Sequence, residues 1–150
     1  MTALQVVVDT SVLVKWFHAE NETEVDEARV IRDAHRIGKL TAFILDLSLY
    51  ELGNVLLGSL RWPPTRVADQ LDDLLVICGT PLVPAPAWRR DAAALAAEHR
   101  LSFYDASFAA AARALRSTLV CADKKLITAG LGQSATQFVA EHGDHIRKTP

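Results

Sequence analysis

The stretch Gln5-Val-Val-Val-Asp9-Thr10-Ser11 decides the fold, because a run of β-branched apolar residues ends abruptly in an acid. An uninterrupted apolar run such as residues 6–8 predicts a strand that is covered on both faces, as in a parallel sheet. Ser11 is a candidate helix cap, and residues 12–18 are predicted to form the helix that follows. Open α/β sheets bind ligands just past the carboxyl ends of such strands, so Asp9 is either a simple cap or a site residue.

The composition of the 150 residues indicates one globular domain, residues 1–150, since half of them are apolar and 23% are charged. No apolar run is long enough to span a membrane, and the first residues do not resemble a secretion signal. Cys78 and Cys121 form no spaced motif, which predicts free thiols in a reducing cytoplasm. The net charge of −2 argues against a protein that coats nucleic acid, but not against an enzyme that meets phosphates through metal ions.

Apolar strands alternate with helical segments along the chain, which predicts a three-layer α/β/α sandwich around a mostly parallel sheet of four to five strands. Residues 133–138 are a weak candidate for a fifth strand, residues 136–141 are alternatively helical, and the chain from His142 onward is predicted to be frayed. The other strands are predicted at residues 5–8, 41–46, 82–83 and 118–121. The main helices are predicted at residues 22–37 (capped by Asn21), 48–61, 65–77 (capped by Thr65), 87–99, 104–116 and 124–129.

Four acids follow strands or begin helices at equivalent places: Asp9, Glu51, Asp105 and Asp123. Each has a simple structural explanation. Ser48-Leu-Tyr-Glu51 matches a capping box, Asp105 suits a helix dipole, and Asp123 suits a turn. Because the carboxyl ends of parallel strands meet at one edge of a sheet, all four acids are nevertheless expected to converge there.

A cluster of carboxylates requires a neutralising charge, and hard divalent cations such as Mg²⁺ or Mn²⁺ are the usual partners of an all-oxygen site. Thr10 and Ser11 could add hydroxyl groups near such an ion, although helix capping is the favoured role for Ser11. Asn54 shares a narrow polar face with Glu51 on an otherwise apolar helix, which indicates a polar cleft. An amide without a chemical role is an equally good explanation for Asn54.

The four acidic motifs, taken together, resemble those of PIN-domain ribonucleases. The motifs are Val8-Asp9-Thr10-Ser11, Tyr50-Glu51-Leu52-Gly53-Asn54, Ser102-Phe103-Tyr104-Asp105-Ala106 and Cys121-Ala122-Asp123-Lys124-Lys125-Leu126. The resemblance is greatest to VapC-type toxins of prokaryotic toxin–antitoxin pairs, and it runs from residue 6 to residue 126. It implies a five-stranded sheet, metal-dependent RNA hydrolysis at Asp9, Glu51, Asp105 and Asp123, a homodimer and a cognate VapB-type antitoxin.

Three other functions remain open on the sequence. A phosphatase of the haloacid-dehalogenase type would use Asp9 as nucleophile, but it needs a second acid where this chain has Ser11. A magnesium-binding α/β domain without catalysis and a PIN nuclease of RNA processing are the others. Five bases are possible phosphate contacts, although most are expected to be solvated: Lys15, Arg113, Arg116, Lys124 and Lys125.

The helices predicted at residues 48–61 and 65–77 carry more apolar surface than one packed face needs. Surplus apolar surface often marks an interface, so a second copy of the chain or an antitoxin segment is expected to cover part of this pair. A deep core that hides every one of these residues is the alternative.

Overall fold

Three parallel strands form the sheet in a computed structural model of the chain, which describes residues 4–147. They are β1 (Gln5–Val8), β2 (Thr41–Phe43) and β3 (Thr118–Val120), in the order β2-β1-β3. Val7 of β1 is paired with Phe43 on one side and with Leu119 on the other. The central strand is therefore the one that opens the chain, and the predicted parallel sheet is confirmed.

Helices occupy most of the remaining chain between residues 4 and 147. A π-helical turn, Val55–Ser59, continues α3 directly. None of the helices in this range combines the length with the apolar character needed to cross a bilayer. The α-helices are α1 (Thr10–Phe17), α2 (Val25–Arg36), α3 (Asp46–Asn54), α4 (Pro64–Cys78), α5 (Pro86–His99), α6 (Phe103–Ala114), α7 (Lys124–Thr128) and α8 (Ala135–Ile146).

The sheet is covered on both faces, as the apolar run in β1 predicts. Val6, Val7 and Val8 are all fully buried, and alternate side chains of the strand enter different cores. Val6 and Val8 pack with residues of α1 to α4 and α8, whereas Val7 packs with residues of α5, α6 and α7. The three-layer α/β/α sandwich is thus confirmed.

The number of strands is smaller than the predicted four to five, since the sheet within residues 4–147 has three. Leu82 and Gln133, where further strands are predicted, each form a single parallel bridge, to Leu45 and to Val120 respectively. The bridges do not extend into strands because helices begin almost at once, α3 at Asp46 and α8 at Ala135. Residues 133–138 are therefore mostly helical, as the alternative prediction had it.

Several helix boundaries also differ from the prediction. Glu24, in the left-handed conformation, precedes α2, so this helix starts at Val25 rather than after Asn21. The helix predicted over residues 48–61 starts at Asp46 and widens into the π-helical turn at Val55, while α4 begins at Pro64.

The predicted fraying of the tail from His142 onward is wrong within the described residues, because α8 continues to Ile146. The side chain of Ile146 is buried in the core between α8 and the sheet. The side chain of Phe138, one turn before His142, is also fully buried, and the centroids of the two rings lie 4.6 Å apart. Burial of these apolar side chains stabilises the last helix.

The two cysteines form no disulfide, in line with the prediction of free thiols. Burial raises the pKa of both thiols, Cys78 and Cys121, to about 12. For Cys121 the nearby carboxylate of Asp9 acts in the same direction. Such thiols stay protonated at neutral pH and are poor nucleophiles.

Candidate active site

Asp9 lies at the carboxyl edge of the sheet, immediately after the central strand. Its backbone N–H donates to the carbonyl of Val120, 2.9 Å away, which fixes it between β1 and β3. Its carboxylate caps α1 by accepting from the backbone N–H of Ser11 at 3.1 Å and from the Ser11 hydroxyl. The residue is only 5% exposed, so Asp9 is at once a helix cap and a buried acid at the ligand edge of the sheet.

Ser11 is not the helix cap predicted from the sequence, since it is the second residue of α1. Its hydroxyl oxygen accepts a hydrogen bond from the backbone N–H of Ala122 at 2.9 Å while the O–H donates to Asp9. The residue after Ala122 is Asp123. Ser11 therefore ties the segment that carries the fourth acid to the turn that carries the first.

Glu51 reaches the same edge from α3. The Thr10 hydroxyl donates to its carboxylate at 2.7 Å, across 41 positions of sequence. The predicted capping box is wrong, because α3 already starts at Asp46 and the Ser48 hydroxyl accepts from the backbone N–H of Leu45. The carboxylate of Glu51 is consequently not used to cap its own helix.

Asp105 and Asp123 sit at the starts of two helices on the other side of the sheet edge. Ser102 caps α6 by accepting from the Asp105 backbone N–H at 3.0 Å, and a hydrogen bond from the Ser102 side chain acts to lower the pKa of Asp105. Asp123 caps α7 and accepts from the backbone N–H of Lys125 at 2.8 Å. Both acids are half-buried. We call Asp9 and Glu51 the inner pair and Asp105 and Asp123 the outer pair.

The inner and outer pairs line one cavity of about 480 Å³, which we call the acid cavity. Thr10 and Ser11 line it as well, in keeping with the auxiliary role considered for them. Asn54 does not line it: this residue is exposed and lies in a neighbouring groove of about 760 Å³ that also contacts Glu51. The four acids converge because of the sheet topology. Asn54 shares a helical face with Glu51 but lines only the neighbouring groove, whereas Glu51 lines both the groove and the acid cavity.

Burial and mutual repulsion make three of these acids hold protons more tightly than usual. Burial, more than any other cause, raises the pKa of Asp9, and the charges of Asp105 and Asp123 add to it, while hydrogen bonds from Ser11 act against it. Burial followed by the charges of Asp9 and Asp105 raises the pKa of Glu51. Burial and the neighbouring Asp123 raise the pKa of Asp105. A positive charge in the cavity would relieve this repulsion.

The donor set fits a hydrated divalent cation better than a tightly caged one. All four acids offer hard oxygen ligands, yet among residues 4–147 no three His, Cys, Asp or Glu side chains are close enough to hold one ion between them. Mg²⁺ keeps several of its waters and commonly contacts a protein through only one or two carboxylates. The spacing around the acid cavity suits that mode of binding.

Lys15 and Glu22 also line the acid cavity, and the sequence patterns did not single them out for this place. Lys15 is one of the five possible phosphate contacts, most of which are expected to be solvated, but it is only 4% exposed. Glu22 was expected in the first turn of α2, whereas it lies in the loop before that helix. The spacing of four residues between Ser11 and Lys15, which puts both on one face of α1, was the available signal.

Comparison with known proteins agrees with this architecture. The sequence model of the family described as "PIN domain" matches residues 6–130. The crystal structure of PAE2754 from Pyrobaculum aerophilum superposes with a TM-score of 0.66 at 23% identity, covering 95% of this chain and 98% of that one, which shows a shared fold. No curated protein gives a significant match. Because the family model spans most of its length, the chain belongs to the PIN-domain family, whose members are generally nucleases that use divalent metal ions.

Proposed function

We propose that this PIN domain is an endoribonuclease that hydrolyses RNA phosphodiester bonds with Mg²⁺ or Mn²⁺, and that it is the toxin of a VapBC-type pair in the cytoplasm. The observation that supports the nuclease is the convergence of Asp9, Glu51, Asp105 and Asp123 on one cavity. RNA as substrate and the toxin role are supported by the resemblance of the four acidic motifs to those of VapC-type toxins.

The residues of the cavity have separable tasks in this proposal. The two Ser11 bonds keep the Asp9 carboxylate facing the cavity, and the Thr10 hydroxyl does the same for Glu51. Asp105 and Asp123 offer carboxylates from the opposite wall. When bound, a divalent ion lowers the pKa of a water molecule and offsets negative charge on the phosphate. No side chain of the cavity is required as a covalent nucleophile.

Purified protein should cleave RNA, with transfer RNA and ribosomal RNA loops as first substrates, in the presence of Mg²⁺ or Mn²⁺. Asp9→Asn should reduce the rate on the order of 10³-fold or more, because a neutral amide cannot replace a carboxylate toward a cation. Asn is still a good helix cap, so the fold should persist. Asp26→Asn, an exposed acid on α2, is the matched control and should cleave normally. Gel assays with RNA and single-stranded DNA measure activity and substrate class.

The metal requirement has a second readout in stability. Mg²⁺ should raise the melting temperature of the wild type more than that of Asp9→Asn, because a ligand stabilises the state that binds it. Cleavage that continues unchanged after thorough chelation with EDTA would sink the mechanism. If Asp9→Asn unfolds the protein, Asp9 is above all a structural cap and the assignment fails there.

The partners we propose are a second copy of the chain and a VapB-type antitoxin. Much of the apolar surface on α3, the π-helical turn and α4 is internal, with Leu52, Leu56 and Leu74 fully buried. Leu57 on the π-helical turn and Val76 on α4 stay 49% and 84% exposed. These exposed residues support an interface at this helical pair. A small antitoxin-like reading frame directly upstream of the gene would favour the toxin over a nuclease of RNA processing.

Light scattering at tens of micromolar should show a dimer, and Leu57→Glu should shift it toward monomer, because a charge placed in an apolar interface is costly. Ile37→Glu is the matched control, since Ile37 is 47% exposed but lies at the end of α2. Both variants should keep the wild-type circular dichroism spectrum. A wild type that is monomeric throughout this range would exclude the homodimer.

A further inference from the structure

Lys15 is the one buried base on α1, and its surroundings are unusual. Its ammonium group donates to the backbone carbonyl of Thr23 at 2.6 Å and lies 3.5 Å from the carboxylate of Glu22. Lys15 is the single lysine or arginine among the residues that line the acid cavity in the described part of the chain. The lining of the cavity thus carries five carboxylates, those of the four site acids and Glu22, and one ammonium group, while the charge of Lys125 outside the lining lowers the pKa of Asp105.

A buried ammonium group is costly unless it is paired, so its place in the wall needs an explanation. One explanation is a tether, in which Lys15 only holds the loop before α2 through Glu22 and Thr23. The other is electrostatic, since a fixed positive charge that lines the same cavity as four acids changes how strongly that cavity attracts a cation. The Glu22 carboxylate faces the same ammonium group and partly neutralises that charge.

We propose that Lys15 is a charge-balancing residue of the acid cavity, and that the pair it forms with Glu22 sets the affinity of the cavity for a divalent cation. Lys15 acts through the field in the cavity and not by touching substrate, so it is a positioning residue. The inference rests on the divalent-metal site of the proposed nuclease, but not on RNA being the substrate.

The two explanations predict different changes in metal affinity when Lys15 and Glu22 are substituted. If Lys15 balances charge, Lys15→Met removes a repulsion toward the incoming cation and strengthens metal binding. Glu22→Gln removes an attraction and leaves the lysine unneutralised, so it weakens metal binding. If the pair is only a tether, both substitutions break the same contact and shift the affinity in the same direction.

The test is a titration of the full-length protein with Mn²⁺ at fixed pH, with free Mn²⁺ measured by electron paramagnetic resonance and no RNA present. Lys15→Met should tighten binding and Glu22→Gln should weaken it, each by roughly tenfold after screening by solvent and salt. Lys15→Arg keeps the charge and should bind like the wild type. Glu20→Gln, an exposed acid on the same loop outside the cavity, is the matched control.

Each outcome decides the matter. Opposite shifts for the two variants, with little change in Lys15→Arg and Glu20→Gln, support charge balancing. Shifts of the same sign overturn it and leave a tether, even if the wild type binds Mn²⁺ and cleaves RNA. Should Lys15→Met fail to fold, Glu22→Gln still decides, because unchanged or tighter binding contradicts the inference. A wild type that binds no divalent cation overturns the proposed function and this inference together.

Discussion

The inner pair and the outer pair present the same functional group but are held by different kinds of contact. Asp9 and Glu51 accept hydrogen bonds from the hydroxyls of Ser11 and Thr10, the first two residues of α1. Of the outer pair, Asp123 accepts from the backbone N–H of a residue two positions later. The inner pair is organised by side chains, whereas the outer pair follows from how two helices begin.

The inner pair therefore depends on tertiary contacts between distant segments, whereas the outer pair depends on local contacts at helix starts. The bond from Thr10 to Glu51 spans 41 positions, and the bond from Ala122 to Ser11 spans 111. Those contacts exist only when β1, β3 and α3 are packed together. The caps of α6 and α7 need only their own first turns. Loss of a hydrogen bond to the inner pair should therefore lower the free energy of unfolding of the whole domain. Loss of a cap beside the outer pair should mainly loosen the first turn of one helix.

A pair of serine substitutions tests this directly. Ser11→Ala should lower the free energy of unfolding by about 2 kcal/mol, because it leaves the Asp9 carboxylate and the Ala122 N–H without their shared partner. Ser102→Ala removes the exposed cap of α6 together with a side-chain hydrogen bond to Asp105, and should cost about 1 kcal/mol. Urea unfolding of the two variants beside the wild type measures both values.

The cleavage rates of the same two serine variants provide a second test of the difference between the inner and outer pairs. Ser11→Ala should also lower the rate of RNA cleavage clearly, since the buried carboxylate of Asp9 loses its orienting contact, while Ser102→Ala, which touches only half-buried Asp105, should lower the rate less. Equal losses of stability and activity in the two variants would show that the division into two pairs has no energetic meaning.

The position of the acids at the carboxyl edge of the sheet could be predicted from sequence, because the ends of the parallel strands determine it. Residues 6–8 read as a strand buried on both faces, which they are, and an acid that follows a parallel strand must lie at its carboxyl edge. Family resemblance in the four motifs gave the same four acids. The roles of Ser11 and Glu51 were harder, because each fits a local capping pattern that the structure does not use.

What the sequence could not predict depends on contacts between distant segments. The place of Glu22 in the cavity wall follows from how the loop before α2 folds back onto Lys15 of α1, and no periodicity indicates that path, whereas the spacing from Ser11 indicates only the face of α1 on which Lys15 lies. Likewise, the chain from His142 onward is predicted to be frayed, but burial of Ile146 in the core stabilises α8 as far as that residue. Tertiary packing outweighs local propensity in both places.

A smaller effect is expected in the pH dependence of stability without metal. The folded protein raises the pKa of Asp9 and Asp105 above the ordinary value of 3.8, so it binds protons that the unfolded chain releases. Stability from this source is fully present below the unfolded pKa and is lost as pH rises through the folded values. The loss should be larger at Asp9, which is 5% exposed, than at half-buried Asp105, where solvent screens the charge.

Asparagine at either position removes the titration, so the variants separate the two contributions. In EDTA, the stability of Asp9→Asn relative to the wild type should increase as pH rises above the ordinary pKa of 3.8 and level off above the raised pKa of the folded protein, and that of Asp105→Asn should increase less. Hydrogen bonds from Ser11 offset part of the burial of Asp9, which keeps the difference modest. Urea unfolding at four pH values measures both curves. If stability increased more with pH in Asp105→Asn than in Asp9→Asn, repulsion within the outer pair would outweigh the burial of Asp9. The larger pH-dependent loss of stability would then come from the outer pair.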